Sequence, residues 1–286
     1  MRKLFLGMLA GAWTVMPCAA PASGNDSIKV ERLLCEASRL PADSCRTLFF
    51  ARRLMGIPYV ANTLDGKEDE TLVVHLDKAD CTTFVETVVA LTLADKEGKM
   101  DFGTFKGALQ RIRYRNGHID GYLSRLHYFS DWIEDNERKG IVSERTKELR
   151  FALPLALNLS FMSTHPGSYR QLKADPELVA KMADIERKWK DASVYYIPKS
   201  RLGATYEELG IENGDILAIT TNVAGLDVVH TGFACWVGEE LHLLHASSAL
   251  KKVVLDSQPL YDYSKNKKAH TGVRVISVLS FCHSKR

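Results

Sequence analysis

Apart from one stretch at its N-terminus, the 286-residue chain has no long apolar run, no C-x-x-C pair and no block of lysine and arginine. A membrane span needs about 20 consecutive apolar residues, so none is expected beyond the N-terminus. Zinc and thiol-exchange sites often use C-x-x-C spacing, and nucleic-acid binding needs clustered cations, so these functions are not favoured. The net charge of +3 is close to balance. The chain also lacks internal repeats and low-complexity linkers, which favours a single domain.

The N-terminal stretch reads MRKLFLGMLAGAWTVMPCAAPASGN. A basic start, a short apolar run and small residues with an A-x-A pattern are typical of a secretory signal peptide. We expect residues 1–22 to be this signal and residues 23–286 to form one exported, periplasmic domain without stable membrane insertion. A lipid anchor at Cys18 is less favoured, because Met16 and Pro17 precede it.

The six cysteines include Cys18, which lies in the predicted signal. Five remain, so at least one is expected to be unpaired in an oxidising compartment. Cys35 and Cys45 lie in neighbouring helical segments and are candidates for a disulfide bridge. Cys235 and Cys282 lie in apolar runs typical of strands, where buried thiols are expected.

The periodicity of apolar residues changes along the chain. It is mostly helical up to about residue 190, whereas short β-branched runs divided by Gly, Asn, Asp or Ser follow from residue 211. Helices followed by strands predict an α+β fold with N-terminal helices packed on a C-terminal antiparallel sheet. Residues 95–190, mixed and mostly helical, are interpreted as a helical insertion within the domain.

A cysteine stands where the most apolar helix is expected to begin, in LDKADCTTFVETVVAL (residues 76–91). Asp80 suits the N-cap, which would place Cys81 in the first turn. The free N–H groups and the helix dipole there favour a thiolate and offer donors for an oxyanion. Cysteine on a helix is more often a core residue, so the pattern needs a base to indicate a nucleophile.

Two histidines in the strand region meet that need. His230 begins HTGFACWV and His245 lies in LHLLHASS; if these runs form a hairpin, both side chains lie near one end of the sheet. His230 would then accept the thiol proton, and His245 would orient His230. His242 has the opposite parity to His245 on a strand, so a metal pair is not favoured and no metal site is expected.

The segments DCTTFVE, HTGFACWV and LLHASS, in this order, resemble the NlpC/p60 superfamily of papain-like cell-wall hydrolases. The resemblance implies a papain-like fold and a catalytic set of Cys81, His230 and His245 that uses no cofactor. IPYV (residues 57–60) resembles the superfamily's P-Y segment. Tyr59 is therefore a candidate to polarise the substrate carbonyl or to stabilise the oxyanion, the alternative being an ordinary turn tyrosine.

Across most of the mature chain, a closer resemblance is to a branch first catalogued as a domain of unknown function. It implies an N-acetylmuramoyl-L-alanine amidase acting on peptidoglycan fragments, with 1,6-anhydro sugar ends as a candidate preference. Thr82 and Thr83 replace the Ser-Gly of the mainstream enzymes, and no Gly-Gly follows Tyr59. Three alternatives remain: an endopeptidase cutting between D-glutamate and diaminopimelate, a non-catalytic wall-binding module, and a thiol-exchange protein using Cys35 and Cys45.

Substrate-binding candidates lie in two places. Asp80, Thr82 and Thr83 flank the nucleophile. GYLSRLHYF combines a fork-shaped cation with polar and aromatic side chains suited to carboxylates and sugars; its candidates are Ser124, Arg125, His127 and Tyr128. The alternative is that Arg125 forms a structural ion pair and the aromatic rings pack in the core. Asp227 is a further polar candidate, or simply a turn residue. Oligomeric state is not predicted.

Overall fold

The computed structural model of the chain describes residues 25–65 and 69–279. The predicted signal peptide, with Cys18, and the C-terminal Cys282 lie outside the described residues. Within the described ranges, no helix combines the length and apolar composition that crossing a membrane requires.

The described residues form ten α-helices joined by loops and short 3₁₀ turns. In chain order they are α1 (Asn25–Ala37), α2 (Arg46–Arg53), α3 (Cys81–Lys96), α4 (Phe102–Arg113), α5 (Phe129–Arg138), α6 (Phe161–Thr164), α7 (Arg170–Ala174), α8 (Pro176–Arg187), α9 (Tyr206–Leu209) and α10 (Leu260–Lys265). Helix α8 begins at Pro176, and the Asp175 carboxylate caps it by accepting from the amides of Glu177 and Leu178.

Eight strands form one open sheet in the described part of the chain. They are β1 (Val142–Glu144), β2 (Leu153–Leu157), β3 (Ala192–Pro198), β4 (Ile216–Thr221), β5 (Val228–Val237), β6 (Glu240–Ser247), β7 (Lys252–Pro259) and β8 (His270–Val278). The order is β2-β3-β8-β4-β5-β6-β7, with β1 also paired to β8, and the pairings are antiparallel. The predicted α+β class with an antiparallel sheet is confirmed.

Helix α3 lies at the centre of the larger core, packed against α1, α2, α4, β5 and β6. Its residues from Thr83 to Ala94 are all buried. The Phe84 ring meets Phe233 of β5 edge to face at 5.6 Å. Burial of Glu86 on this helix is compensated by Arg113 of α4, whose Nε donates to the Glu86 carboxylate at 2.6 Å. This packing fixes the position of the start of α3 relative to the sheet.

The two faces of the sheet pack into separate cores because side chains alternate along each strand. The face towards α3 carries Ile216, Ala218, Phe233, Leu244 and Ile276. The opposite face carries Leu217, Ile219, Leu243, Val273 and Val275 and packs against Leu260 of α10. The predicted hairpin joins β5 and β6 through Gly238, whose φ is +60°.

Residues 95–190 contain α4 to α8 together with β1 and β2, and both strands join the sheet. A third apolar cluster fills this region, including Tyr128, Met162, Met182 and Trp189. Asp227 joins the region to β5, because its carboxylate accepts from the backbone N–H of Ser130 in the first turn of α5 at 2.6 Å. Asp227 is therefore buried and caps a helix.

The candidate disulfide between Cys35 and Cys45 is not formed. Cys35 is a buried free thiol in α1, and Cys45 is the N-cap of α2, where its sulfur accepts from the Leu48 amide at 3.5 Å. Local helix capping takes the place of the proposed bridge. Cys235 is a buried thiol on β5, as the sequence predicts.

Candidate active site

Cys81 is the first residue of α3, and a capping box fixes that start. The Asp80 carboxylate accepts from the Thr83 amide at 2.8 Å, and the Thr83 hydroxyl oxygen accepts from the Asp80 amide at 2.9 Å. On the other side, the Thr231 hydroxyl of β5 donates to the Cys81 carbonyl oxygen at 3.1 Å. Cys81 is thus held between a helix cap and the strand that carries His230.

The surroundings of the Cys81 thiol disfavour its charged form. Burial raises the pKa of the thiol above its ordinary value of 9.0, and the Asp80 charge raises it further. Hydrogen bonds from the Thr231 backbone N–H and from the hydroxyls of Thr82 and Thr231 lower this pKa but do not reverse the shift. Desolvation of the charged form thus opposes the thiolate that the helix N-terminus is expected to favour, and the ionisation state of Cys81 stays a prediction. A neighbouring base would help to remove the proton.

His230 of β5 and His245 of β6 are in direct contact. The Nε2 atom of His230 lies 2.5 Å from Nδ1 of His245, and the two rings meet edge to face at 4.8 Å between centroids. Gly232 makes this possible: a Cβ there would lie 2.9 Å from the Cβ of His245 and 2.8 Å from the Leu244 carbonyl oxygen. The glycine in HTGF therefore leaves space for the second imidazole.

Asp256 of β7 completes a chain of hydrogen bonds that the sequence analysis missed. Its Oδ2 lies 3.3 Å from Nε2 of His245, and its Oδ1 accepts from the Gln258 amide at 3.0 Å. A carboxylate only accepts, so Nε2 of His245 carries a proton and, in a neutral ring, Nδ1 is an acceptor. The contact with His230 then requires His230 Nε2 to donate, which leaves His230 Nδ1 with a lone pair. This tautomer makes His230 a base.

The electrostatic environment favours the neutral form of both imidazoles. Burial lowers the pKa of His230 well below 6.5, and His245, Lys267 and His270 lower it further. Burial also lowers the pKa of His245, and the charge and hydrogen bond of Asp256 offset this only in part. A neutral His230 can accept a proton at neutral pH.

Two tyrosines lie within the electrostatic influence of Cys81. Burial raises the pKa of Tyr59, and a charge on Cys81 or Asp80 raises it further. Tyr59 is held in place because its amide donates to the Lys251 carbonyl oxygen at 2.9 Å. Tyr263 of α10 has its pKa raised to about 12 by burial, by Asp256 and by Cys81. Tyr263 also lies against both imidazoles, 6.4 Å from the His230 ring and 5.4 Å from the His245 ring.

The substrate-binding candidates divide into two groups. Asp80, Thr82, Arg125 and His127 line one hollow of about 320 Å³, with Tyr122 and Tyr169. Thr83, Ser124 and Tyr128 do not line it.

Each member of the second group is engaged elsewhere. Thr83 belongs to the helix cap. The Ser124 hydroxyl donates to the Gly121 carbonyl oxygen at 2.7 Å within a turn. The Tyr128 hydroxyl is buried, donates to Glu186 at 2.6 Å and accepts from the Met162 amide.

Arg125 and His127 are themselves tied down. The Arg125 guanidinium is 7% exposed, donates to Asp65 at 2.8 Å and lies 3.6 Å from Glu70. The His127 Nε2 donates to the Tyr122 carbonyl oxygen at 2.9 Å, and burial lowers its pKa to about 3. Arg125 and His127 are therefore ordered polar side chains in the lining of the hollow next to Asp80 and Thr82.

His242 takes no part in the contact between the two imidazoles. Its Nδ1 donates to the carbonyl oxygen of Asp256 at 2.9 Å. Across residues 25–65 and 69–279, no three His, Cys, Asp or Glu side chains converge in a way that could hold a metal ion.

Solved structures share this architecture. An N-acetylmuramoyl-L-alanine amidase from Bacteroides uniformis ATCC 8492 is 43% identical, with a TM-score of 0.77 over 82% of this chain and 97% of that chain. A Bacteroides fragilis protein named as a candidate xylanase is 45% identical, with a TM-score of 0.76 over 80% and 99% of the two chains. A Legionella pneumophila protein of the DUF1460 family is 26% identical, with a TM-score of 0.68 over 89% and 94%.

No curated protein matches the chain significantly. Residues 49–273 match the AmiA-like family, described as N-acetylmuramoyl-L-alanine amidase-like. This range contains Cys81, His230, His245 and Asp256 and the strands that bring them together. The chain therefore belongs to the AmiA-like, N-acetylmuramoyl-L-alanine amidase-like family.

Proposed function

We propose that the protein hydrolyses the amide bond between N-acetylmuramic acid and L-alanine in peptidoglycan fragments, as a papain-like cysteine amidase of the NlpC/p60 superfamily. The observation that carries this proposal is the chain of contacts His230–His245–Asp256 beside a cysteine at a helix N-terminus. The amidase named among its structural relatives supports the bond and the substrate class.

In the proposed mechanism, Nδ1 of His230 takes the proton of Cys81 as the sulfur attacks the amide carbonyl. The oxyanion is stabilised by backbone N–H groups at the start of α3 and by the Tyr59 hydroxyl; one such donor commonly contributes about 10²–10³ in rate. His230 then gives its proton to the leaving amine of L-alanine. Water, activated by the same imidazole, hydrolyses the thioester and frees the cysteine.

The hollow beside Asp80 and Thr82 is proposed to hold the sugar. Tyr122 and Tyr169 offer ring faces, and Arg125 and His127 offer an ordered polar wall. A muramic acid with a 1,6-anhydro end is the candidate substrate for this hollow. Thr83, Ser124 and Tyr128, which do not line this hollow, would stabilise the segments that carry Asp80, Arg125 and His127.

The cellular context belongs to the same proposal. Residues 1–22 would direct export to the periplasm, and residues 23–286 would form one catalytic domain in which residues 95–190 are the insertion. The helix-rich segment supplies Arg125 and His127, so the insertion would contribute to recognition of the substrate.

The name of the Bacteroides fragilis relative suggests an alternative function, the hydrolysis of glycosidic bonds. That reaction usually needs two carboxyl groups free to act on one bond. The carboxylates lining the hollow beside Cys81 are engaged: Asp80 in the helix cap, Asp65 with Arg125, and Glu86 with Arg113. The arrangement therefore favours thiol chemistry.

The test is digestion of defined muropeptides, with and without 1,6-anhydro ends, by the wild-type protein and by Cys81→Ala. We expect mass spectrometry to find a free sugar and an intact peptide with the wild-type protein and neither with the variant. Products cut between D-glutamate and diaminopimelate would establish the endopeptidase instead. Full cleavage by a folded Cys81→Ala, or release of sugars from xylan, would refute the proposal.

A further inference from the structure

A second hollow of about 450 Å³ lies beside the imidazoles, and the mechanism above does not use it. His230, Asp256, Tyr263, Lys267 and His270 contribute to its lining. The residues on either side of Cys81 in the chain, Asp80 and Thr82, line the first hollow. Tyr263 lines the second hollow, and a charge on the Cys81 thiol raises the pKa of Tyr263. The nucleophile therefore lies between two hollows, and a bound substrate would extend into both.

The ammonium of Lys267 is a cation that lines this second hollow. Its Nζ lies 3.1 Å from the centroid of the Tyr263 ring, and it forms no ion pair within the described part of the chain. Lys199 adds a second cation close by, since its Nζ donates to the Lys267 carbonyl oxygen at 3.0 Å. Burial lowers the pKa of His270 to about 4, so that ring is neutral.

The one carboxylate lining this hollow is already engaged. Asp256 faces His245 through one oxygen and the Gln258 amide through the other. The hollow therefore presents the Lys267 ammonium, together with the hydroxyl groups of Ser248 and Ser257. Such a surface suits an anionic, hydrogen-bonding ligand such as a carboxylate.

The proposed chemistry decides which part of the substrate enters this hollow. His230 must protonate the leaving amine, so that amine lies on the His230 side of Cys81. The peptide that begins with this amine has L-alanine as its first residue and D-glutamate as its second. The γ-carboxyl of this D-glutamate is joined to the third residue, so its α-carboxylate is free. Two residues span at most about 7.2 Å, and the Tyr263 ring lies 6.4 Å from the His230 ring, so the second residue would come within reach of Tyr263 and Lys267.

We infer that Lys267 binds the free α-carboxylate of the second residue of the leaving peptide and makes the protein selective for muropeptides that carry this charge. The inference rests on the proposed amidase function. A muropeptide whose second residue is D-isoglutamine, with a neutral carboxamide at this position, would be the poorer substrate. Lys267 would thus be a specificity-determining residue on the leaving-group side.

The experiment compares kcat/KM for two muropeptides that differ only in this group, the α-carboxylate or the α-carboxamide. We expect the wild-type protein to prefer the carboxylate by roughly tenfold, on the scale of one charge-assisted hydrogen bond. Lys267→Met should bring the ratio close to one, and Lys267→Arg should restore most of it. Lys268→Met, which removes an exposed neighbouring charge that does not line the hollow, should keep the wild-type ratio.

Two results would overturn the inference: a wild-type ratio near one, or a Lys267→Met variant that slows both substrates equally. A binding measurement separates this failure from failure of the proposed function. Calorimetry with Cys81→Ser should detect binding of L-Ala-D-Glu amidated at its γ-carboxyl, and Lys267→Met in the same background should weaken that binding by roughly tenfold. If the wild-type protein cleaves neither muropeptide, the amidase proposal fails, and this titration alone decides whether the carboxylate subsite exists.

Discussion

Replacing Asp256 with asparagine should impair catalysis more than removing the side chain altogether. The Oδ1 atom of Asp256 accepts from the Gln258 amide at 3.0 Å. An asparagine would keep its carbonyl oxygen at that donor and place its NH₂ where Oδ2 now faces Nε2 of His245. His245 would then have to accept at Nε2 and donate from Nδ1 to His230. That reversal places the proton of His230 on Nδ1, where the base must have a lone pair.

The size of the effect follows from the geometry. When a carboxylate bonds directly to the catalytic histidine, the equivalent change costs about 10⁴ in kcat. Here Asp256 acts through one additional ring and at 3.3 Å from it. We therefore expect a loss of about 10- to 100-fold in kcat/KM, as when the hydrogen-bond partner of a metal-binding histidine is removed. Asp256→Ala fixes neither tautomer of His245, so its loss of kcat/KM should be smaller than that of Asp256→Asn.

The assay is kcat/KM on an anhydro-muropeptide for the wild-type protein, Asp256→Asn and Asp256→Ala, with thermal unfolding to establish that each variant folds. ¹⁵N NMR of the histidine rings reports the tautomers directly, a readout that general loss of stability would not change in this way. Asp256→Asn activity within twofold of wild type, or an alanine variant worse than the asparagine variant, would refute the tautomer argument.

Three further predictions concern the nucleophile, its base and the core that supports them. The pKa of His230 lies well below 6.5 and that of Cys81 lies above 9.0, so both side chains are expected to stay neutral between these two pH values. We therefore expect kcat/KM to be constant from pH 6.5 to 9.0 and to fall only at lower pH. A pH midpoint of kcat/KM between 6.5 and 9.0 would contradict this prediction. Asp80→Asn keeps an N-cap oxygen but removes a charge that raises the pKa of Cys81, so the pH midpoint for alkylation by iodoacetamide should move down; an upward shift would count against the assignment. Arg113→Met leaves Glu86 buried without its partner and should lower the free energy of unfolding by about 3–5 kcal/mol in guanidinium titrations. The double variant Arg113→Met/Glu86→Gln should recover part of this free energy. If it recovers none, an unpaired buried charge is not the cause of the loss.

The parts of the site that the sequence predicted depend on neighbours along the chain. The start of α3 could be read from Asp80, and the hairpin of β5 and β6 from two β-branched runs separated by a short turn. Their placement in the structure agrees with the pattern, while the catalytic roles of Cys81, His230 and His245 stay predictions.

Asp256 and Lys267 were missed because nothing near them in the sequence indicates chemistry. Asp256 meets His245 only through the register of β6 and β7, in which His245 pairs with Val254. The one available signal was an acidic residue inside the β-branched run KKVVLDS. Lys267 reaches the site only because α10 packs beside β6 and β7.

By itself, the sequence determined the α+β class, the cap that begins α3 and the pairing of β5 with β6. These features follow from hydrogen bonds and apolar periodicity among residues close in the chain. Only the tertiary structure decided that burial and Asp80 raise the pKa of the Cys81 thiol, that Asp256 lies within hydrogen-bond distance of His245, and that Cys45 caps a helix instead of bridging to Cys35. Desolvation and the interaction of charges through space depend on which distant segments pack together, and short-range pattern contains no record of that packing.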